Sequence, residues 1–107
     1  MLYKTILTIG LNDKDQEKQI IPTDEAKRII AEILINKKVE AFTMFDCMGV
    51  YKMNSSGNIV QENSIRIEHV DDGETIIWMG IVKALKKALN QESIMIEIID
   101  DVSVMFR

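Results

Sequence analysis

The side chains that most often carry chemistry are scarce here. There is one histidine, His69, and one cysteine, Cys47. A lone cysteine rules out an internal disulfide and any zinc site built from several cysteines. A single histidine likewise rules out a histidine-rich metal centre. His69 shares the alternation of Ile65 and Ile67 near the end of a β-like run, which reads as a half-buried structural histidine. Cys47 alternates with Phe45 and Gly49 and reads as a small core residue. No base sits in sequence beside Ser64 or Cys47 to activate them as nucleophiles. Glu62 and Glu68 lie six residues apart on one strand face, roughly 20 Å, too far for a paired acid and base. The loop GLNDKDQ, Gly10 to Gln16, lacks the spaced glycines of a phosphate cradle and the late glutamate of a calcium loop. It reads as a solvated loop. No catalytic residue, metal site or cofactor is expected.

The elements that would hold these residues are legible. Tyr3–Leu11 alternates with apolar or β-branched residues on both faces and reads as a central strand. Pro22-Thr23-Asp24-Glu25 opens a helix, with Thr23 as N-cap and two acids in the first turn. Ala26, Ile29, Ile30, Ile33 and Leu34 form its apolar stripe. Ala41–Lys52 and Ile59–Val70 make a long hairpin around MNSSGN. Asp71 and Glu74 have capping-box spacing before a second helix that runs to Leu89. Ile77, Ile81, Leu85, Ala88 and Leu89 face inward, and Asn90 suits the left-handed closing position. Ser93–Ile99 is a fourth strand, and Val102–Phe106 reads as a short fifth. The order βαββαβ predicts a ferredoxin-like α+β domain, an antiparallel sheet with both helices on one face.

The 107 residues suit one domain. The net charge of −4 falls entirely on the C-terminal half: residues 1–61 hold eight acids and eight bases, residues 62–101 nine acids and four bases. That distribution opposes binding to a phosphate backbone and suits a partner with a basic surface. No run approaches the ~18 apolar residues of a membrane span, and the N-terminus is unlike a signal peptide, so a cytoplasmic protein is expected.

Candidate contact residues follow from alternation. Glu62, Ser64, Arg66 and Glu68, with Glu97 from the fourth strand, fall on the sheet face away from the helices. Asp71, Asp72, Glu74, Glu92, Asp100 and Asp101 sit at element ends. Met44 and Met48 share parity with Phe42 and Asp46, an apolar patch with an acidic centre if that face is open. Trp78 lies beside the inward stripe of the second helix and reads as core edge.

Two stretches, GLNDKD after the first strand and LNQESI after the second helix, occur with Gly49-Val50-Tyr51 and Glu62-Asn63. Together they resemble a family of small proteins of phages, prophages and plasmids of Gram-positive bacteria. The resemblance spans about Tyr3 to Ile98 and implies the same compact α+β fold. It supplies no catalytic residues. A mobile-element setting implies a non-enzymatic protein that binds and inhibits a host defence protein, in the manner of anti-CRISPR proteins. A CRISPR effector is then the expected partner. Asp46, Glu62, Arg66, Glu68, Asp71, Asp72, Glu74, Glu92 and Glu97 are the expected contacts, and pairing of two copies is expected through strand edges or the open face.

Two rivals remain. One is a small dimeric ferredoxin-like enzyme or ligand binder using Tyr51, Arg66 and His69 on the open sheet face. The other is a structural or regulatory phage protein. A pocket with converging polar groups marks the ligand binder.

Overall fold

A computed structural model describes residues 2–73 and 78–107. Its elements run β1 (Tyr3–Gly10), α1 (Thr23–Asn36), β2 (Thr43–Lys52), β3 (Ile59–Asp71), α2 (Trp78–Leu89) and β4 (Met95–Asp100). The strands form one antiparallel sheet in the order β2-β3-β1-β4. The ferredoxin-like α+β reading holds.

β1 is central because residues of both parities can be buried there. Leu7 pairs with Ile67 and Ile96, and Ile9 with Ile65. These side chains face the helices and close the core with Ala26, Ile30 and Leu34 of α1 and Ile81, Leu85 and Leu89 of α2. Ile6, on the opposite parity, is also buried, between Glu68 and Glu97. The inward stripe of α1 is as its spacing requires. On α2 the buried set includes Val82, whereas Ala88 is exposed, contrary to its expected inward place. Ile77 and Glu74, and with Glu74 the proposed capping box, lie outside the described residues.

Three local expectations are corrected. Pro22, not Thr23, precedes the first helical residue, and no side chain caps that end. The Thr23 hydroxyl instead accepts a hydrogen bond from Gln19 Nε2 (3.1 Å). Val102–Phe106 forms no strand. Asp101 adopts φ 56°, which turns the chain off the ladder after β4, and Val102 N–H then donates to Leu2 O (3.1 Å). Cys47 is exposed. It sits opposite Ser64 on the face away from the helices, and β2 is an edge strand of the sheet.

The Met44–Asp46–Met48 parity of β2 points toward the helices. Asp46 Oδ1 pairs with Lys27 Nζ of α1 (2.6 Å), so it is not the centre of an open patch. His69 also faces the helix side. Its Nδ1 lies 2.6 Å from Ala41 O, its Nε2 3.1 Å from Asp71 Oδ2, and Trp78 meets it edge-on at 5.8 Å. The rival ligand set of Tyr51, Arg66 and His69 therefore does not converge, because His69 is on the other side of the sheet. No described helix is long and apolar enough to cross a membrane.

Candidate functional site

At the end of the open face where β1 stops, four chain segments line an open cavity of about 480 Å³. β1 brings Gly10 to it, and the following loop brings Asn12, Asp13, Lys14 and Glu17. The hairpin contributes Tyr51, Met53, Val60 and Glu62, and the segment after α2 contributes Gln91, Glu92 and Ser93. The loop expected to be merely solvated is thus a wall of this cavity. The four stretches singled out by the family resemblance converge on it.

Glu62 anchors the site. Strand register places it opposite Gly49, two residues along the face from Val60, which pairs with Tyr51. Its Oε2 accepts the backbone N–H of Asn12 (2.9 Å). This approach needs the glycine at position 10, since a Cβ there would overlap the Glu62 carboxyl group.

Interlocking hydrogen bonds hold the loop in shape. Asp13 Oδ1 accepts the N–H groups of Asp15 (2.9 Å) and Gln16 (3.0 Å) in a local turn. Asn90, in the left-handed conformation (φ 48°) that ends α2, donates Nδ2 to both Asp13 Oδ2 and Asp15 Oδ2 at 2.9 Å. Lys14 N–H donates to Asn90 O (3.1 Å). The next residue, Gln91, is buried and donates Nε2 to Asn12 O (2.7 Å). The hydrogen bond from Asn90, followed by those from the Gln16 and Asp15 amides, holds the Asp13 carboxyl below the ordinary carboxylate range.

Four carboxylates, Asp13, Glu17, Glu62 and Glu92, line the cavity against one ammonium, Lys14. Met53, Val60 and the Tyr51 ring add apolar surface. The chemistry this suits is a cation with both a polar and an apolar part.

The other expected contacts are dispersed. Arg66, Glu68 and Glu97 share the open face with the cavity but lie farther along it. There Glu68 pairs with Lys4 (2.8 Å) and Arg66 (3.1 Å), and the hydrogen bond from Lys4 chiefly lowers its pKa. Asp71 and Asp100 both flank Tyr3, at the opposite end of β1 from the cavity, with Asp72 and Asp101 next in sequence. The acids at element ends therefore form no single patch: Glu92 is at one end of the sheet, Asp71 and Asp100 at the other. Of the described expected contacts, only Glu62 and Glu92 line the cavity, and Arg66 and Glu68 pair with each other away from it. Gly10, Asn12, Asn90 and Gln91 went unrecognised as site residues. Their signal was the co-occurrence of the two motifs, which said nothing of their meeting in space.

The sheet topology defines a ferredoxin-like protein with a polar cavity at one end of its open face. No family model matches the chain, and no curated protein matches it. Among solved structures, it is similar to a phage SAM lyase in complex with S-methyl-5'-thioadenosine, at 27% identity and TM-score 0.63 over 91% of this chain and 79% of that one. A phage SAM lyase in the apo state gives 27% identity and TM-score 0.58 over 90% and 78%. The GlnK–ATP complex of B. subtilis shares the fold alone, at 14% identity and TM-score 0.58 over 92% and 81%.

Proposed function

We propose that this protein is a lyase of S-adenosylmethionine, with the cavity beside Glu62 as its active site. The observation that carries the reading is the convergence of four carboxylates and apolar walls in one cavity of a chain 27% identical to a phage SAM lyase. S-adenosylmethionine is a net cation, with a sulfonium, an α-ammonium and one carboxylate. A carboxylate-lined site attracts it, and Met53, Val60 and Tyr51 offer contact to its less polar parts.

The chemistry needs few protein groups. Release of S-methyl-5'-thioadenosine breaks the bond between the sulfonium sulfur and the γ-carbon of the amino-acid arm. The electron pair stays on sulfur, so the leaving group is a neutral thioether and needs no proton. The substrate's own carboxylate oxygen can form the new bond to the γ-carbon, which closes a five-membered lactone without proton transfer. A protein carboxylate on the sulfonium would stabilise the reactant more than the transition state, because the charge on sulfur is disappearing. A carboxylate on the α-ammonium holds a charge that persists throughout, and so orients the attacking arm. We assign that role to Glu62, whose Oε2 is already fixed by Asn12 N–H.

The test is incubation of the purified protein with S-adenosylmethionine, followed by chromatography and mass spectrometry. Stoichiometric S-methyl-5'-thioadenosine and lactone are expected. Production of the open unsaturated amino acid instead would replace ring closure by elimination, and no product would overturn the reading.

A second reading is the non-catalytic inhibitor of a host defence protein, a CRISPR effector included. What favours it is separate from the cavity: Phe45, Met95 and Ile99 are exposed on the open sheet face around the Lys4–Glu68–Arg66 cluster. A salt-sensitive, near-stoichiometric effector captured by the tagged protein, and lost on reversing charge at Glu68 and Glu97, would support it. A lane holding only the bait would remove it.

A further inference from the structure

We propose that Gln91 is a positioning residue for Glu62, acting through the Asn12 backbone; this rests on the lyase reading for its kinetic part. Gln91 Nε2 donates to Asn12 O (2.7 Å), and Asn12 N–H donates to Glu62 Oε2 (2.9 Å). One residue thus takes a bond on its carbonyl from the end of α2 and gives a bond from its amide to the carboxylate in the cavity. Gln91 is itself held: its backbone N–H donates to Lys86 O (2.9 Å), and its Nε2 also reaches Leu89 O (3.3 Å).

The geometry around this relay leaves little slack. Gln91 is only 8% exposed, so water does not readily replace its amide. Gly10 has no room for a side chain beside the Glu62 carboxyl group, which confines the carboxylate between the β1 backbone and the Asn12 amide. Asn90, one residue earlier, pins the loop farther out through Asp13 and Asp15. Asn90 therefore shapes the loop, while Gln91 holds the peptide on the carbonyl side of Asn12, one backbone φ/ψ pair away from the amide that touches Glu62. Loss of the Gln91 donor leaves that peptide held by Asp13 N–H on Lys18 O (2.8 Å), so the Asn12 dihedrals relax and the carboxylate shifts from its place.

The experiment compares Gln91→Met, Glu62→Gln and the double variant in two readouts. The first is the Asn12 amide resonance in a ¹H–¹⁵N spectrum, which needs no activity. It moves on Glu62→Gln, moves in the same direction on Gln91→Met, and moves no further in the double variant. The second is release of S-methyl-5'-thioadenosine. Gln91→Met lowers kcat roughly ten- to a hundredfold with KM within about twofold, and changes the residual rate of Glu62→Gln by less than about twofold. Should Gln91→Met not fold, Gln91→Glu, of equal size but with an acceptor facing Asn12 O, is read in the same way. An Asn12 resonance indifferent to position 91 overturns the proposal. So does an equal fractional loss of rate in both backgrounds, the mark of a purely structural role. A resonance that responds in a protein that makes no S-methyl-5'-thioadenosine upholds the relay and overturns the lyase reading instead.

Discussion

Glu62 and its neighbours make the sharpest predictions. Glu62→Gln keeps the shape and most hydrogen bonding but removes the charge, so loss of S-methyl-5'-thioadenosine formation with a nearly unchanged melting temperature is expected. Gly10→Ala drives a methyl group into the Glu62 carboxyl. It is expected to lower turnover to the same low residual rate as Glu62→Gln; activity near wild type would show that Glu62 is not confined as described. Glu68 makes a prediction about pH. The hydrogen bond from Lys4 lowers its pKa below the ordinary 4.5, so the folded state binds this proton less readily than the unfolded chain. Its stabilising contribution is complete above that value and is lost as pH falls through the lowered one. Urea melts of Lys4→Met between pH 6 and pH 2 should therefore show a shallower acid loss than wild type. Equal slopes would discount the pair.

The elements were legible to different degrees. Both helices and all four strands follow from periodicity, and the left-handed Asn90 from its place after Leu89. What the pattern of β2 left open was which parity faces the helices: both carry apolar residues, and as an edge strand it buries neither fully. Cys47 and Asp46 were exchanged between faces for that reason. The site was less legible than the fold, because its residues come from four segments and act partly through backbone groups. The join between the β1–α1 loop and the end of α2 can be tested directly. Asn90→Gly retains the left-handed backbone but removes both bonds to Asp13 and Asp15. Faster amide exchange at residues 13–17, with the β3 core unchanged, is expected. Leu34→Ala, fully buried in α1, should by contrast lower global stability by about 2–5 kcal/mol.

At the scale of the whole molecule, charge is unevenly placed. The cavity end concentrates Asp13, Glu17, Glu62 and Glu92, while α2 carries Lys83, Lys86 and Lys87. Attraction of a cationic substrate to such an end is screened by salt over a Debye length of about 10 Å at 0.1 M. KM for S-adenosylmethionine is therefore expected to rise between 0.02 and 0.5 M salt while kcat holds. A KM independent of ionic strength would mean that the carboxylates do not act through their field. Asp46, Asp71 and Glu92 stand in separate places, so these three do not join in one acidic face.

β1 is the first strand of the sequence and the inner strand that joins β3 to β4. A ribosome releases it long before its neighbours exist. Its pairing with β3 waits for residues 64–71, and its other edge stays unpaired until Met95–Asp100 emerge. The β2–β3 hairpin closes a short loop and can form early, whereas β1 must bridge most of the chain at an entropic cost that grows slowly with length. During synthesis the most deeply buried strand of the protein is therefore the one left longest without a partner, and Thr5 and Thr8, one on each face, are what keep that waiting segment from being uniformly greasy.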